Sequence, residues 1–145
     1  MNVEKIKILI VEPTLDPYVE EIENTLEKKQ KIVGGLIEFV ELENDIDLIC
    51  NEEGKIYNLP MNRIIKNDII CGTFIIAGQK NGETISLTDN QIRKYKSYFK
   101  LKNHTIPIAL LKNKYKESSN LLDYDLTGIE KLLKLNTFGN SLGNE

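Results

Sequence analysis

The sequence predicts a single α+β domain, in which a mostly antiparallel sheet carries two or three packed helices. Short β-rich apolar runs recur between turn residues, which is typical of antiparallel strands. Two segments begin with a threonine followed three residues later by Gln or Glu, a pattern that marks the first turn of a helix. A chain of 145 residues, 41% of them hydrophobic, has the size and composition of one domain with a buried core.

The first part of the chain is predicted to hold one strand and one helix. Residues 5–12 begin with alternating lysine and isoleucine and continue as the apolar run 8–11. This pattern favours a central strand, which Pro13 ends. Asp16-Pro17 supplies an N-cap followed by proline, so we predict a helix from there to Gly34-Gly35. Its buried stripe would be formed by Val19, Ile22 and Leu26.

A predicted hairpin follows the helix. Residues 36–42 and 46–50 form two strands that turn at Glu43-Asn44-Asp45. A third short strand is predicted at 55–59, and Pro60 ends it.

The next segment is predicted as an irregular turn over residues 61–66, followed by one long buried strand from Ile69 to Gly78. Gly72 lies inside that run, which indicates a bulge or a close backbone approach. A turn over Gln79–Gly82 ends the strand.

The C-terminal part is predicted to contain two more helices and one strand. Thr88-Asp89-Asn90-Gln91 is a capping box that opens a helix to about Phe99, with Ile92, Tyr95 and Phe99 inward. Residues 105–111 predict an edge strand, and Thr127-Gly128-Ile129-Glu130 opens a short helix. We expect one domain over residues 1–138 and a flexible tail over residues 139–145.

Charge is sorted along the chain. Residues 1–89 carry nine basic and seventeen acidic residues, a net charge of −8, and residues 117–145 carry two and five, a net charge of −3. Between them lies a segment without Asp or Glu that has eight basic residues: Arg93, Lys94, Lys96, Lys100, Lys102, Lys112, Lys114 and Lys116. Such asymmetry concerns binding partners rather than fold.

The residue inventory argues against common catalytic and metal-dependent classes. Two cysteines without CxxC spacing and one histidine do not make an ordinary zinc site. No nucleophile-elbow, metalloprotease or phosphate-loop motif occurs. His104 has polar neighbours, and we expect it in an exposed loop. We therefore expect a cytoplasmic protein without enzymatic activity, cofactor, metal or membrane span.

An acidic run without any basic residue spans residues 38–53. It has three interpretations: a divalent-cation site, a surface that docks on a basic partner, and a solvated hairpin face. The docking surface would use Glu41, Glu43, Asp45, Asp47, Glu52 and Glu53.

Two further features have alternative interpretations. The basic segment, with its tyrosines, would bind nucleic acid, or its lysines would pair with the acidic part of the chain. Asn62-Arg63 lies between apolar runs, so we expect a semi-buried guanidinium held by carbonyls or a carboxylate, with Glu52 or Glu53 as candidate partners. Asn62, Arg63 and Gly72 would belong to a structural loop that the guanidinium fixes after Pro60. Alternatively, Asn62-Arg63 would form a surface that binds a partner's carboxylate or phosphate. An unrecognised enzyme site around Asn62, Arg63 and Thr73 is a third hypothesis.

Residues 6–99 contain an ordered set of short motifs, which include Asn51-Glu52-Glu53-Gly54-Lys55, Leu59-Pro60 with Asn62-Arg63, Gly72-Thr73-Phe74 and Ser86-Leu87-Thr88-Asp89. In these motifs the chain resembles a family of small uncharacterised domains encoded by bacteria, phages and plasmids. The resemblance implies a mobile-element context and no catalytic role.

Two function hypotheses follow. The leading one is an accessory protein of a mobile element that binds a host or element protein through the acidic run, in an anti-defence or regulatory role. The alternative is nucleic-acid binding through residues 93–116. A homodimer in which opposite charge blocks meet is also compatible with the sequence.

Overall fold

The computed structural model describes residues 3–104, and within them it confirms the α+β class. The strands are β1 (Lys5–Val11), β2 (Tyr18–Glu23), β3 (Ile37–Glu43), β4 (Ile46–Asn51), β5 (Met61–Ile65), β6 (Asp68–Cys71), β7 (Phe74–Lys80) and β8 (Glu83–Ile85). The helices are α1 (Leu26–Val33) and α2 (Asp89–Tyr98), and a 3₁₀ turn spans Leu101–Asn103. The predicted strand at 105–111 and helix from Thr127 lie outside the described residues.

The main sheet is antiparallel, with the order β2-β1-β7-β4-β3 and β8 paired to β7. Strands β5 and β6 form a separate two-stranded sheet. The predicted first strand is therefore confirmed, and it is internal, because β1 has neighbours on both sides.

The two faces of the main sheet are covered by different elements. On one face, α2 and the β5–β6 hairpin bury a core that includes Leu48, Phe74 and Phe99. On the other face, α1 packs through Val33 over a core that includes Ile49 and Ala77. Because side chains alternate along a strand, each residue of β3 and β4 is assigned to the α1 face or the α2 face.

The predicted helix from Asp16 is wrong in its first half. Residues 18–23 form β2, and α1 begins only after Thr25, whose Oγ1 accepts a hydrogen bond from Lys28 N at 3.1 Å. Lys5 and Lys7 of β1 lie opposite Glu23 and Glu21, so cross-strand charge pairing favours the strand.

Because the first helix is shorter than predicted, its predicted buried residues Val19, Ile22 and Leu26 do not form one buried stripe. Ile22 is buried, whereas Val19 is 36% and Leu26 53% exposed. The predicted end of the helix is confirmed, because Gly34 has φ +82° and its N–H donates to Gln30 O.

The prediction for residues 55–66 is reversed in the structure. Residues 52–58 form turns, and a strand begins after Pro60 instead of ending at it. The Leu59 N–H donates to Gly54 O and Asn58 has φ +55°, so this loop folds back on itself before β5. The apolar residues of 61–65 enter the core, where the preference for burial outweighs the turn signal that Pro60 and Asn62 give.

The predicted strand over residues 69–78 is divided into β6 and β7 at Gly72. Gly72 has φ +86°, a conformation that interrupts a strand, and its N–H donates to Pro60 O at 2.7 Å. A Cβ atom there would lie 2.8 Å from Leu59 Cδ1, so the predicted close approach is also present.

Gly72→Ala is expected to lower the free energy of unfolding by about 2 to 3 kcal/mol, since it adds both a strained φ and a contact with Leu59. Gly34→Ala is the matched control, because Gly34 has φ +82° and no atom within 4 Å of the added Cβ. The control should cost about 1 kcal/mol. Urea denaturation measures both, and equal losses would show that the Leu59 contact relaxes freely.

Two predicted elements match the structure closely. The β3–β4 hairpin turns at Asn44 and Asp45, with a register shift between Glu41 and Glu43. The α2 capping box has both bonds, Thr88 N to Gln91 Oε1 at 2.8 Å and Gln91 N to Thr88 Oγ1 at 3.1 Å. Its predicted inward residues Ile92, Tyr95 and Phe99 are all buried.

Candidate functional site: an acidic hairpin

The six acidic residues of the predicted docking surface separate into two groups. Glu41, Glu43, Asp45 and Asp47 surround the turn of the β3–β4 hairpin, while Glu52 and Glu53 follow the far end of β4. Residues 48–51 of β4 separate Asp47 from Glu52, a rise of about 17 Å along the strand. The hairpin therefore presents two acidic regions.

Part of the turn region is neutralised from within the molecule. Lys94 Nζ of α2 lies 2.7 Å from Glu43 Oε1, and Gln91 Nε2 donates to Asp45 Oδ2 at 3.3 Å. The hydrogen bond from Lys94 lowers the pKa of the Glu43 carboxyl, with a smaller contribution from Tyr95. The basic segment and the acidic run thus contact each other, as one of the sequence interpretations expected.

Glu41 and Asp47 face each other across β3 and β4, and Asp47 also lies opposite Ala77 of β7. Asp47 is only 9% exposed, yet no hydrogen bond or ion pair reaches its carboxylate from residues 3–104. Burial raises the pKa of the Asp47 carboxyl, and the Glu41 carboxylate raises it further. This pair of like charges is unfavourable for folding and lacks a cation.

Asp47→Asn is expected to raise the urea midpoint of unfolding at pH 7. This increase should be smaller than the decrease that Gly72→Ala causes. A carboxyl with a raised folded pKa binds more protons in the folded chain, so stability falls as pH rises through that pKa. Below the ordinary pKa of 3.8 both states are protonated, and the advantage of the variant should disappear.

The exposed Glu83→Gln serves as the control for this pH profile. Urea titrations from pH 3 to pH 7 compare the two variants with the unsubstituted chain. An advantage of Asp47→Asn that persists at pH 3, or a lowered midpoint at pH 7, would contradict the assignment.

Strand β3 is an edge of the main sheet, since β4 is its only neighbour in the described part of the chain. Glu52 N donates to Leu36 O at 2.8 Å, which fixes the alternation of hydrogen bonds along the hairpin. The backbone groups of Ile37, Phe39 and Glu41 therefore point away from β4. Lys66 Nζ, at the tip of the β5–β6 hairpin, donates to Glu41 O at 3.1 Å.

Beyond the far end of β4, Glu52 and Glu53 line a cleft of about 150 Å³ together with Glu38, Lys55 and Asp68. Lys55 forms a salt bridge with Asp68, and a Tyr57 hydrogen bond reaches Glu53. The cleft's inner wall includes both cysteines, Cys50 and Cys71.

Neither group of carboxylates is arranged as a metal site. Among residues 3–104 no three His, Cys, Asp or Glu side chains are arranged to hold a metal ion. Burial raises the pKa of the Cys50 thiol to about 11, with added effects of Glu38 and Asp68. That thiol therefore stays protonated at neutral pH and is a poor nucleophile.

Arg63 is fully buried, and its partners are carbonyl oxygens rather than Glu52 or Glu53. Its guanidinium donates to Phe99 O twice, at 3.0 and 2.8 Å, to Leu15 O at 2.6 Å, to Glu12 O at 3.3 Å and to Asn62 Oδ1 at 2.7 Å. The negative end of the α2 dipole lies at Phe99 and favours the cation. The suggested carboxylate partners Glu52 and Glu53 are therefore wrong, because the guanidinium is held by backbone carbonyl oxygens and by Asn62 Oδ1.

Asn62 and Arg63 lie in strand β5 and not in the predicted loop, and no donor of Arg63 is left for a ligand. Asn62 is also fully buried, and its Nδ2 donates to Val11 O and Gly72 O, both at 2.8 Å. Burial lowers the pKa of Arg63 to about 10, and Asp16 opposes that effect, so Arg63 is charged at neutral pH. All five of its N–H groups are used, which leaves none for a substrate.

His104 is buried, and the predicted exposed loop position is wrong. Its Nε2 lies 2.6 Å from Tyr98 O, and its ring stacks on Phe99 at 5.3 Å between centroids. Burial lowers the pKa of this imidazole, which is 8% exposed. His104 therefore covers the end of α2, a contact that its polar sequence neighbours do not indicate.

The basic segment is only partly described. Arg93 and Lys96 are exposed on α2, and Lys100 and Lys102 are exposed after its end. The segment's Tyr95 and Phe99 are buried and unavailable for stacking on bases. Lys112, Lys114 and Lys116 lie outside the described residues.

The fold and this geometry define a small α+β domain with an acidic hairpin, whose strand β3 is an edge of the sheet within residues 3–104. None of the helices within residues 3–104 is both long enough and apolar enough to cross a membrane. The chain belongs to the family described as a domain of unknown function, DUF3846, whose sequence model matches residues 6–100. No curated protein and no solved structure matches the chain.

Proposed function

We propose that this chain is a non-enzymatic accessory protein of a phage, plasmid or other mobile element, and that it binds a host or element protein through the acidic β3–β4 hairpin. The observation that carries the proposal is Asp47, nine-tenths buried beside Glu41 and without a cation among residues 3–104. A basic group of a partner protein would neutralise both carboxylates and recover the folding free energy that the pair costs. The mobile-element context rests on the sequence resemblance, which suggests an anti-defence or regulatory role in the cytoplasm.

The non-enzymatic part of the proposal is supported by how the chemically capable groups are used. The Arg63 donors are all bonded to the chain, and the Cys50 thiol is protonated. A binding role needs none of these groups, and it agrees with a surface whose charges are exposed at both ends of β4.

The test is partner capture from a lysate of the host, with and without nuclease. The immobilised variant Glu41→Lys, Glu52→Lys, Glu53→Lys should lose the captured protein, because charge reversal repels a basic partner. The control variant Glu20→Lys, Glu27→Lys, Glu83→Lys reverses three exposed charges elsewhere and should retain it. Capture that is unchanged by the hairpin reversals would overturn the proposal.

Nucleic-acid binding is the second candidate function, favoured by the exposed basic residues Arg93 and Lys96 of α2 and Lys100 just after it. Phosphate contacts release counterions, so affinity for an oligonucleotide should fall steeply as salt rises. Replacing the three residues by alanine should reduce the salt slope by about three. A flat salt response of the intact chain would exclude this function.

A further inference from the structure

The outer edge of β3 offers a row of backbone groups to another strand. Ile37 and Phe39 direct their N–H and C=O groups away from β4, and Phe39 is 50% exposed. Within residues 3–104 this edge has no partner strand, and such an edge accepts an extended segment by main-chain hydrogen bonds, with alternate side chains giving specificity. Glu41 O already accepts a hydrogen bond from Lys66 of this chain, so the row is occupied at that one carbonyl.

The Glu41–Asp47 pair lies within reach of such an added strand. A residue opposite Glu41 on the α1 face would lie about 5 Å from it, and Asp47 is one strand further in, about 10 Å away. An extended lysine or arginine stem spans most of that distance, and the Asp47 carboxylate spans the rest.

We infer that β3 pairs with an extended segment of the partner protein, and that a lysine or arginine of this segment sits between Glu41 and Asp47. This inference rests on the proposed function and specifies the chemistry of its partner. A second copy of this chain is a poorer occupant, because each β3 carries Glu38, Glu41 and Glu43 and no basic residue. Two such strands would bring like charges together.

The experiment uses the full chain and synthetic peptides of alternating threonine and valine with one central lysine. Affinity is measured by titration, and contact by changes in the amide NMR signals of Ile37, Phe39 and Glu41. We expect binding that perturbs these amides and weakens about tenfold with either Glu41→Gln or Asp47→Asn. Because Asp47→Asn is expected to stabilise the fold, its loss of affinity would not reflect unfolding.

Three matched controls separate strand addition from other contacts. Glu38→Gln removes the same charge from the α2 face of β3 and should leave affinity within about twofold. A peptide with norleucine for lysine should lose about tenfold in affinity, and one with N-methylated edge amides should not bind. Sedimentation must show the free chain to be monomeric.

The outcomes distinguish this inference from the proposed function. Binding that survives N-methylation or absence of peptide binding would overturn strand addition, and dimers formed through β3 would overturn the inferred occupant. Partner capture that still depends on the hairpin charges would then leave the proposed function standing. The proposed function itself would be overturned if reversal of the hairpin charges left partner capture unchanged.

Discussion

Arg63→Ala is expected to lower the free energy of unfolding by about 4 kcal/mol. The substitution leaves the buried carbonyl of Phe99 and the part-buried carbonyl of Leu15 without their donor, and it removes one of two donors from Glu12 O. It also removes a large, fully buried side chain. Each unsatisfied acceptor costs about 1 to 3 kcal/mol, and partial relaxation toward water recovers some of that cost. Urea denaturation followed by circular dichroism measures the loss.

Two controls make the Arg63 result specific. Arg93→Ala removes an exposed arginine from α2 and should change stability by less than about 0.5 kcal/mol. Arg63→Lys keeps the charge but has three donors in place of five, so it should recover only part of the loss. A cost of Arg63→Ala below about 1 kcal/mol would show that the carbonyls find other donors.

Phe99→Ala is expected to cost about 4 kcal/mol, since a fully buried phenylalanine leaves a cavity when it is truncated. The ring lies edge-on to Phe74 at 5.4 Å and to Tyr98 at 4.7 Å, and His104 stacks on it. Loss of the ring removes the common contact of α2, β7 and the 3₁₀ turn. The measurement is again the urea midpoint with its slope.

Phe39→Ala is the matched control for Phe99, because it removes the same side chain from a half-exposed position on β3. It should cost less than about 1 kcal/mol. If the two variants lost equal stability, the buried cluster around Phe99 would not be the main core of this face.

Local patterns were sufficient to predict those elements whose signals lie within a few residues. The α2 capping box and the β3–β4 turn are of this kind, and both match the structure. Strand β2 was missed because its conformation depends on pairing with β1, and Asp16-Pro17 gave a competing helix signal. Asp16 instead accepts a hydrogen bond from Leu101 N, 85 residues away in sequence, which no local pattern reveals.

The sequence predicts which acidic residues belong to the candidate site, but it does not predict where they lie relative to one another. The sequence identified all six carboxylates, but their division between the two ends of β4 depends on the sheet. The sequence signal that distinguishes Asp47 from the other five is its position as the one acidic residue within the apolar run 46–50. The exposed edge of β3 depends on the strand order, which is a tertiary property.

The buried guanidinium also bears on how the domain folds and how long it stays folded. Its hydrogen bonds join residues separated by 36, 48 and 51 positions, so they form only when distant parts of the chain have met. Contacts formed after the rate-limiting step mainly slow unfolding and hardly affect the folding rate. If the Arg63 hydrogen bonds form after the rate-limiting step, they slow unfolding. They would then extend the lifetime of the native state and its resistance to proteolysis.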